Sequence, residues 1–243
     1  MIGFYDYTVV LTFLSVLTSI FGMTQAMDGH FRIAIVCLAL SGLLDTFDGK
    51  VARTKKDRND DQKLYGIQLD SLADVVCFGV FPVMICTLMG VRGILGGIAV
   101  GFYSLCGVIR LAFFNVLETN RQTQPDSGEK VYHGLPITSI AVILPLTFLL
   151  GFCMSDCVFR WVLMAMLVIT GFLFILDFKL KKPTNLQIGI LIVIVAAAVA
   201  VVMLFYHHKV PNRKTLDEPL YEAITDSDFE LFPEDAICPE DSQ

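Results

Sequence analysis

Charged residues are scarce in this sequence. Only 17% of the 243 residues are charged, whereas 55% are hydrophobic. A soluble domain has about 25% charged residues, so the composition excludes an ordinary soluble domain and indicates a membrane protein. Histidine is also scarce, with 4 residues, and there is no C-x-x-C pair. The sequence therefore gives no indication of a zinc site.

Long uncharged runs accompany this lack of charge. Most approach the roughly 20 residues that cross a bilayer as a helix, and they occupy residues 7–27, 75–91, 93–109, 134–155, 161–176 and 183–206. A shorter run, 33–44, reaches that length only if its helix continues through Asp45 and Asp48. We predict an all-α integral membrane protein, a bundle of about seven transmembrane helices with roughly six to eight compatible with the pattern. Pro82 is expected to kink the helix that contains it.

The distribution of charge predicts the orientation and the domain limits. Lysine and arginine crowd the connection after the second predicted helix and recur before the last one. The positive-inside rule places both connections on the cytoplasmic side of the cell membrane. Between Asp217 and Asp241 the chain has many acidic residues and no basic one. We therefore expect a transmembrane domain over residues 1–206 and a disordered acidic tail over 207–243.

Two pairs of aspartates flank the connection between the second and third predicted helices. Asp45 and Asp48 are three residues apart in the sequence. Asp70 and Asp74 are four apart, so each pair projects from one face of its helix. The pairs can converge because one helix ends, and the other begins, on the same side of the membrane. Converging carboxylates repel one another unless cations lie between them, and Mg²⁺ and Mn²⁺ prefer oxygen ligands. We predict a site for two such ions.

The residues around these aspartates favour a phosphate ligand. Gly49 and Gly66 leave room for a nucleotide or a phosphate to approach the backbone. Arg53 offers a fork-shaped set of donors for phosphate oxygens. Asp60 and Asp61 lie in a polar segment and are interpreted as solvated residues. The sequence thus distinguishes the two aspartate pairs, which are predicted to bind ligands, from aspartates that are predicted to be solvated.

This stretch resembles the signature of the CDP-alcohol phosphatidyltransferase family, D-x-x-D-G-x-x-A-R followed by G-x-x-x-D-x-x-x-D. The fixed positions are filled by Asp45, Asp48, Gly49, Ala52, Arg53, Gly66, Asp70 and Asp74. The spacer over residues 54–65 is longer than the family's usual spacer. The added residues are polar, so we expect them to lengthen a cytoplasmic loop and to leave the site unchanged.

The resemblance implies a reaction in which an alcohol hydroxyl attacks the phosphorus of CDP-diacylglycerol beside the lipid and releases CMP. It implies that Asp74 is the general base. The implied metal ligands are Asp45, Asp48, Asp70 and Asp74. The implied CDP-binding residues are Asp48, Gly49, Ala52, Arg53, Gly66 and Asp70. The resemblance also implies a homodimer in the lipid membrane, and we expect no nucleic-acid partner.

Further strings resemble the type II phosphatidylserine synthases within that family. They are LDSLADVVCFGVFP at 69–82, IRLAFFNV at 109–116 and YHGLPITS at 132–139. This resemblance implies serine as the acceptor and phosphatidylserine as the product. Phe113 departs from the pattern, because the subfamily often has a second arginine at this position.

An acceptor site is predicted beside the aspartates, and two alternatives stay open. Arg110 can pair with the serine carboxylate, with Asn115 and His133 as further polar residues. The same chemistry can instead use glycerol 3-phosphate or inositol phosphate, although such acceptors favour added basic residues and Phe113 removes one. The other alternative is a transporter or channel with aspartates along a cation path. The clustering of the acids at one end of the bundle disfavours it.

Overall fold

A computed structural model of the chain describes residues 7–52, 54–55, 59–123, 132–151, 153–180 and 185–205. The described chain is helical over nearly its whole length. Its helices are α1 (Val10–Met27), α2 (Phe31–Ala52), α3 (Asp60–Asp74), α4 (Phe81–Leu88), α5 (Gly93–Thr123), α6 (Ile140–Leu150), α7 (Asp156–Ile175) and α8 (Asn185–Phe205). A π-helical stretch, Val75–Val80, joins α3 to α4 without a break. The described residues thus form seven continuous helical runs, which confirms the predicted all-α bundle.

Several of these runs have the length and composition of a membrane span. Four are long and apolar enough to cross a membrane: Val10–Met27, Asp60–Leu88, Gly93–Asn120 and Asp156–Ile175. Shorter apolar helices occupy Ile137–Leu150 and Gly189–Leu204. Helix α2 contains two aspartates in its second half and packs along α1. The chain is therefore a membrane protein, as its composition predicts.

The bundle has an apolar outside as well as an apolar core. In α8, Leu186 and Leu204 are each 74% exposed. Apolar side chains exposed along a whole helix in this way are unfavourable in water but match a hydrocarbon environment. Inside, Phe78, Phe81 and Ile85 are fully buried. The continuous run from α3 to α4 contacts α1, α2 and α5, so it is the centre of the packing.

The turns between helices bring the predicted site elements to one side of the bundle. The connection after α1 contains Gly29, whose φ of 80° is in the left-handed region that glycine tolerates. The hydroxyl of Tyr7, just before α1, lies 3.1 Å from the hydroxyl of Thr54, just after α2. The start of α1 therefore lies beside the connection between α2 and α3.

Two later connections also meet. A two-residue strand β1 (Tyr132–His133) pairs antiparallel with β2 (Lys179–Leu180). The connection before α6 is thereby joined to the one after α7. The predicted tail over 207–243 lies outside the described residues, so its disorder stays a prediction.

A close contact fixes α2 against α6. A Cβ atom placed on Gly42 would lie 2.5 Å from the Cβ atom of Ala141, closer than side-chain atoms approach. Small residues of this kind let membrane helices pack with their backbones near one another. Because Gly42 precedes Asp45 by about one helical turn, this contact also fixes the position of Asp45 along the helix axis relative to α6.

Candidate active site

Three aspartates from two helices form a compact group. Asp45 comes from the second half of α2, and Asp70 and Asp74 come from the end of α3. One carboxylate oxygen from each lies within 4.8 Å of the others. Oxygen ligands at about 2.1 Å from one octahedral ion are about 3 Å apart when adjacent and about 4 Å apart when opposite. The group therefore fits a hard divalent cation such as Mg²⁺ or Mn²⁺.

The fourth predicted aspartate extends this group along α2. Asp48 faces Asp70, and Asp45 faces Asp74, each within hydrogen-bonding reach. Asp48 and Asp74 are only 8% and 9% exposed. The two pairs predicted from the sequence thus meet face to face across α2 and α3. Four acids this close, two of them buried and two half-buried, require neutralisation, which divalent cations would supply.

The structure describes only some of the residues that are expected to bind CDP. A Cβ atom on Gly49 would meet nothing within 4 Å, so this face of α2 is open to a ligand. Gly66 is half-buried in α3, and Ala52 is the last residue of α2. Arg53 lies outside the described residues. The role of these four residues in CDP binding stays a prediction.

A buried row of hydroxyl groups on α1 supports the aspartates, and the sequence reasoning missed it. The Thr12 hydroxyl donates a hydrogen bond of 3.2 Å to Asp48 Oδ2. One turn further, the hydroxyls of Ser15 and Ser19 lie 2.7 Å and 2.9 Å from the Ser41 hydroxyl of α2. The spacing of these three α1 residues puts them on one helix face. That spacing is the sequence pattern from which the row could have been predicted. The hydrogen bonds of the row indicate that α1 positions α2.

Replacing Thr12 with valine is expected to weaken Mn²⁺ binding about tenfold to a hundredfold, because a hydrogen bond to a charged group contributes about 1.5–3 kcal/mol. Valine keeps the shape of threonine and removes only the donor to Asp48. Titration of the purified protein with Mn²⁺ measures the change. Thr12→Ser should restore the affinity, and Thr18→Val is a matched control because the Thr18 hydroxyl bonds to Leu14 in its own helix. Equal affinities in Thr12→Val and Thr18→Val would contradict the assignment.

Arg110 reaches the same site from α5. Its side chain is only 6% exposed, and its charge interacts with Asp74. The guanidinium carbon lies 4.3 Å from the centre of the Phe114 ring. A Cβ atom on Gly134 would lie 3.1 Å from Arg110 Nη1, so the glycine leaves room for the guanidinium. The structure therefore brings Arg110, as predicted, next to the carboxylates.

The other predicted acceptor residues have different positions. The Ser71 hydroxyl donates a hydrogen bond to Asn115 Oδ1, which ties α5 to α3 beside Asp70. His133 contributes its backbone to β1, and its side chain lies outside the description. Phe113 is 53% exposed on the outside of α5. The interpretation that Phe113 removes a basic residue from the site stays a prediction.

Comparisons with known proteins agree with this geometry. The sequence profile of the CDP-alcohol phosphatidyltransferase family matches residues 7–173. A CDP-diacylglycerol–serine O-phosphatidyltransferase of Mycobacterium tuberculosis is 33% identical over 133 residues, which cover 54% of this chain and 45% of the relative. The enzyme of that name from Saccharomyces cerevisiae is 35% identical over 113 residues, 46% of this chain and 40% of the relative.

An archaeal protein is similar over a comparable region. The archaetidylserine synthase of Methanothermobacter thermautotrophicus is 34% identical over 144 residues, 59% of this chain and 58% of the relative. The chain thus spans about half the length of the relatives it matches. No solved structure matches the chain.

Proposed function

Because the chain belongs to the CDP-alcohol phosphatidyltransferase family, we propose that it transfers the phosphatidyl group of CDP-diacylglycerol to the hydroxyl of L-serine, giving phosphatidylserine and CMP. The observation that carries this proposal is the meeting of four aspartates from α2 and α3 at one buried place. The relatives named for serine as acceptor support the choice of substrate.

Each aspartate has a role in the proposed reaction. Asp45, Asp48, Asp70 and Asp74 hold divalent cations, Mg²⁺ or Mn²⁺, in two sites. When bound, such cations neutralise the charge of a diphosphate and stabilise its leaving oxygen. Asp74 also accepts the proton of the serine hydroxyl. The serine oxygen then forms a bond to the phosphorus that carries the diacylglycerol, and the bond from that phosphorus to the CMP oxygen breaks.

The other proposed contacts orient the two substrates. Arg110 pairs with the serine carboxylate, because a guanidinium and a carboxylate form two parallel hydrogen bonds. Asn115 and His133 complete the acceptor site in this proposal. Gly49 and Gly66 allow the cytidine diphosphate to approach α2 and α3. The remaining CDP contacts are assigned to Asp48, Ala52, Arg53 and Asp70.

The location of the reaction follows from the charge distribution. Lysine and arginine follow α2 on the side where the aspartates lie, and the positive-inside rule assigns that side to the cytoplasm. We therefore place the active site at the cytoplasmic face of the cell membrane. A homodimer in the bilayer is part of the same proposal.

The test is release of CMP from CDP-diacylglycerol by purified protein in detergent. The reaction is run with Mn²⁺ or Mg²⁺ and with serine, glycerol 3-phosphate, inositol phosphate or no acceptor. We expect release that requires both serine and the metal. Release with glycerol 3-phosphate or inositol phosphate alone would keep the chemistry and overturn the choice of acceptor. No release with any acceptor or metal would contradict the proposed enzyme activity.

A further inference from the structure

The helix that carries Asp70 and Asp74 contains a wide turn directly after Asp74. Residues Val75–Val80 are π-helical, and the Phe81 amide donates to the carbonyl of Val76, five residues earlier. Such single π-helical turns are uncommon and occur frequently at functional sites. Proline explains why this one forms where it does. Pro82 has no amide hydrogen, and its ring collides with the carbonyl of the residue four positions before it in a regular α-helix. That residue is Phe78.

The Phe78 carbonyl therefore lacks its α-helical donor, and another helix supplies one. The Tyr103 hydroxyl of α5 donates a hydrogen bond of 2.6 Å to the Phe78 oxygen. Tyr103 and Phe78 are both fully buried. A buried carbonyl without a partner is unfavourable, so this hydroxyl stabilises the wide turn. The Tyr103 ring is itself held by Phe174 of α7, with ring centres 5.5 Å apart.

The two helices that flank the turn differ in how firmly they are packed. In α4 the buried residues are Phe81, Pro82, Ile85 and Cys86, whereas in α3 they are only Ala73 and Asp74. If the extra residue of the π turn relaxed into a regular α-helix, one flanking helix would have to rotate by about 100°. Because α4 is locked in the core, α3 would rotate. The rotation would carry Asp70 and Asp74 away from their partners on α2.

We propose that Tyr103 is a positioning residue for the carboxylate site: its hydroxyl, together with Pro82, holds the π turn and so keeps Asp70 and Asp74 facing Asp45 and Asp48. This inference rests on the proposed function, because it assigns the aspartates to a cation site. Tyr103 does not touch a substrate. It acts on the reaction only through the direction in which α3 presents its carboxylates.

The test compares Mn²⁺ affinity and CMP release in purified wild-type protein and in Tyr103→Phe, which removes only the hydroxyl. We expect Mn²⁺ affinity to fall about fivefold to tenfold, as the loss of one buried hydrogen bond predicts. We expect kcat for CMP release to fall with it at subsaturating metal and to recover at high Mn²⁺. Ser104→Ala is the matched control, since the neighbouring Ser104 hydroxyl bonds to Val100 in its own helix. Wild-type affinity in Tyr103→Phe would overturn the proposal.

A second variant separates positioning from simple destabilisation. Pro82→Ala gives residue 82 an amide that can donate to Phe78, so the Tyr103 hydroxyl becomes redundant in that background. We expect Pro82→Ala to weaken Mn²⁺ binding by itself, and Tyr103→Phe to add little to it. If the two substitutions weakened Mn²⁺ binding additively, the proposed coupling between Pro82 and Tyr103 would be wrong. The Mn²⁺ titration needs no substrate, so it tests the role of Tyr103 independently of the reaction. Wild-type protein that binds Mn²⁺ but releases no CMP would contradict the proposed function, and the comparison of Mn²⁺ affinities would still test Tyr103.

Discussion

Asp74→Asn is expected to reduce serine-dependent CMP release by about 10²–10⁴-fold, because a general base contributes about that much and the asparagine amide cannot accept the serine proton. The protein should keep its fold. Asparagine has nearly the shape of aspartate, and removing one charge from a buried group of acids relieves repulsion with Asp45 and Asp70. The variant should retain part of its Mn²⁺ and CDP-diacylglycerol binding, since an amide oxygen remains and three carboxylates are unchanged.

The measurement is single-turnover CMP release at saturating Mn²⁺, together with Mn²⁺ and CDP-diacylglycerol binding. Asp61→Asn is a matched control, because Asp61 is an exposed residue in the first turn of the same helix. Near-normal turnover in Asp74→Asn would show that Asp74 is not the base. Complete loss of Mn²⁺ binding would instead show that Asp74 is an essential ligand, and the missing metal would by itself account for the lost turnover.

The sequence was sufficient to predict the carboxylate site because its spacing is local. Aspartates three and four residues apart on helices project from one face, and a short connection forces the two helix ends to the same side of the membrane. The prediction that Asp45, Asp48, Asp70 and Asp74 converge follows from these facts alone. Arg110 could be placed beside them because its helix returns to that same side.

The supporting residues could not be predicted in this way, because their partners are distant in sequence. Thr12 bonds to Asp48, 36 residues away, and Tyr103 bonds to Phe78, 25 residues away. Which hydroxyl meets which acceptor depends on how far each helix is rotated in the bundle, and periodicity does not give that rotation. Pro82 was expected to kink its helix. The structure has a π turn just before it, and a hydroxyl from α5 bonds to the Phe78 carbonyl, the one whose α-helical donor proline removes.

The exposure of Phe113 also could not be predicted from periodicity. Position 113 follows Arg110 by three residues, so a helical pattern places the two near one face. Arg110 is nevertheless buried while Phe113 is exposed, and the Phe114 ring covers the guanidinium. The effect of position 113 on acceptor choice therefore stays a prediction.

Arg110→Ala is expected to raise the KM for serine about tenfold to a hundredfold with a smaller change in kcat. A hydrogen bond between charged groups contributes about 1.5–3 kcal/mol, and about 1.4 kcal/mol corresponds to a factor of ten. The variant loses the proposed partner of the serine carboxylate. Mn²⁺ binding should not weaken, because removing a cation beside Asp74 leaves the site more attractive to metal. Steady-state CMP release at varied serine measures the effect.

Ethanolamine sharpens this experiment because it is serine without the carboxylate. Wild-type protein should have a much higher kcat/KM for serine than for ethanolamine. In Arg110→Ala the ratio of these two kcat/KM values should fall by the same factor by which the KM for serine rises. Arg110→Lys keeps the charge without the fork of donors and should fall between the two. Arg92→Ala, an exposed arginine before α5 at the opposite end of the bundle, is the matched control. Unchanged serine KM in Arg110→Ala would remove Arg110 from the acceptor site. Its charge beside Asp74 would then serve the carboxylates alone.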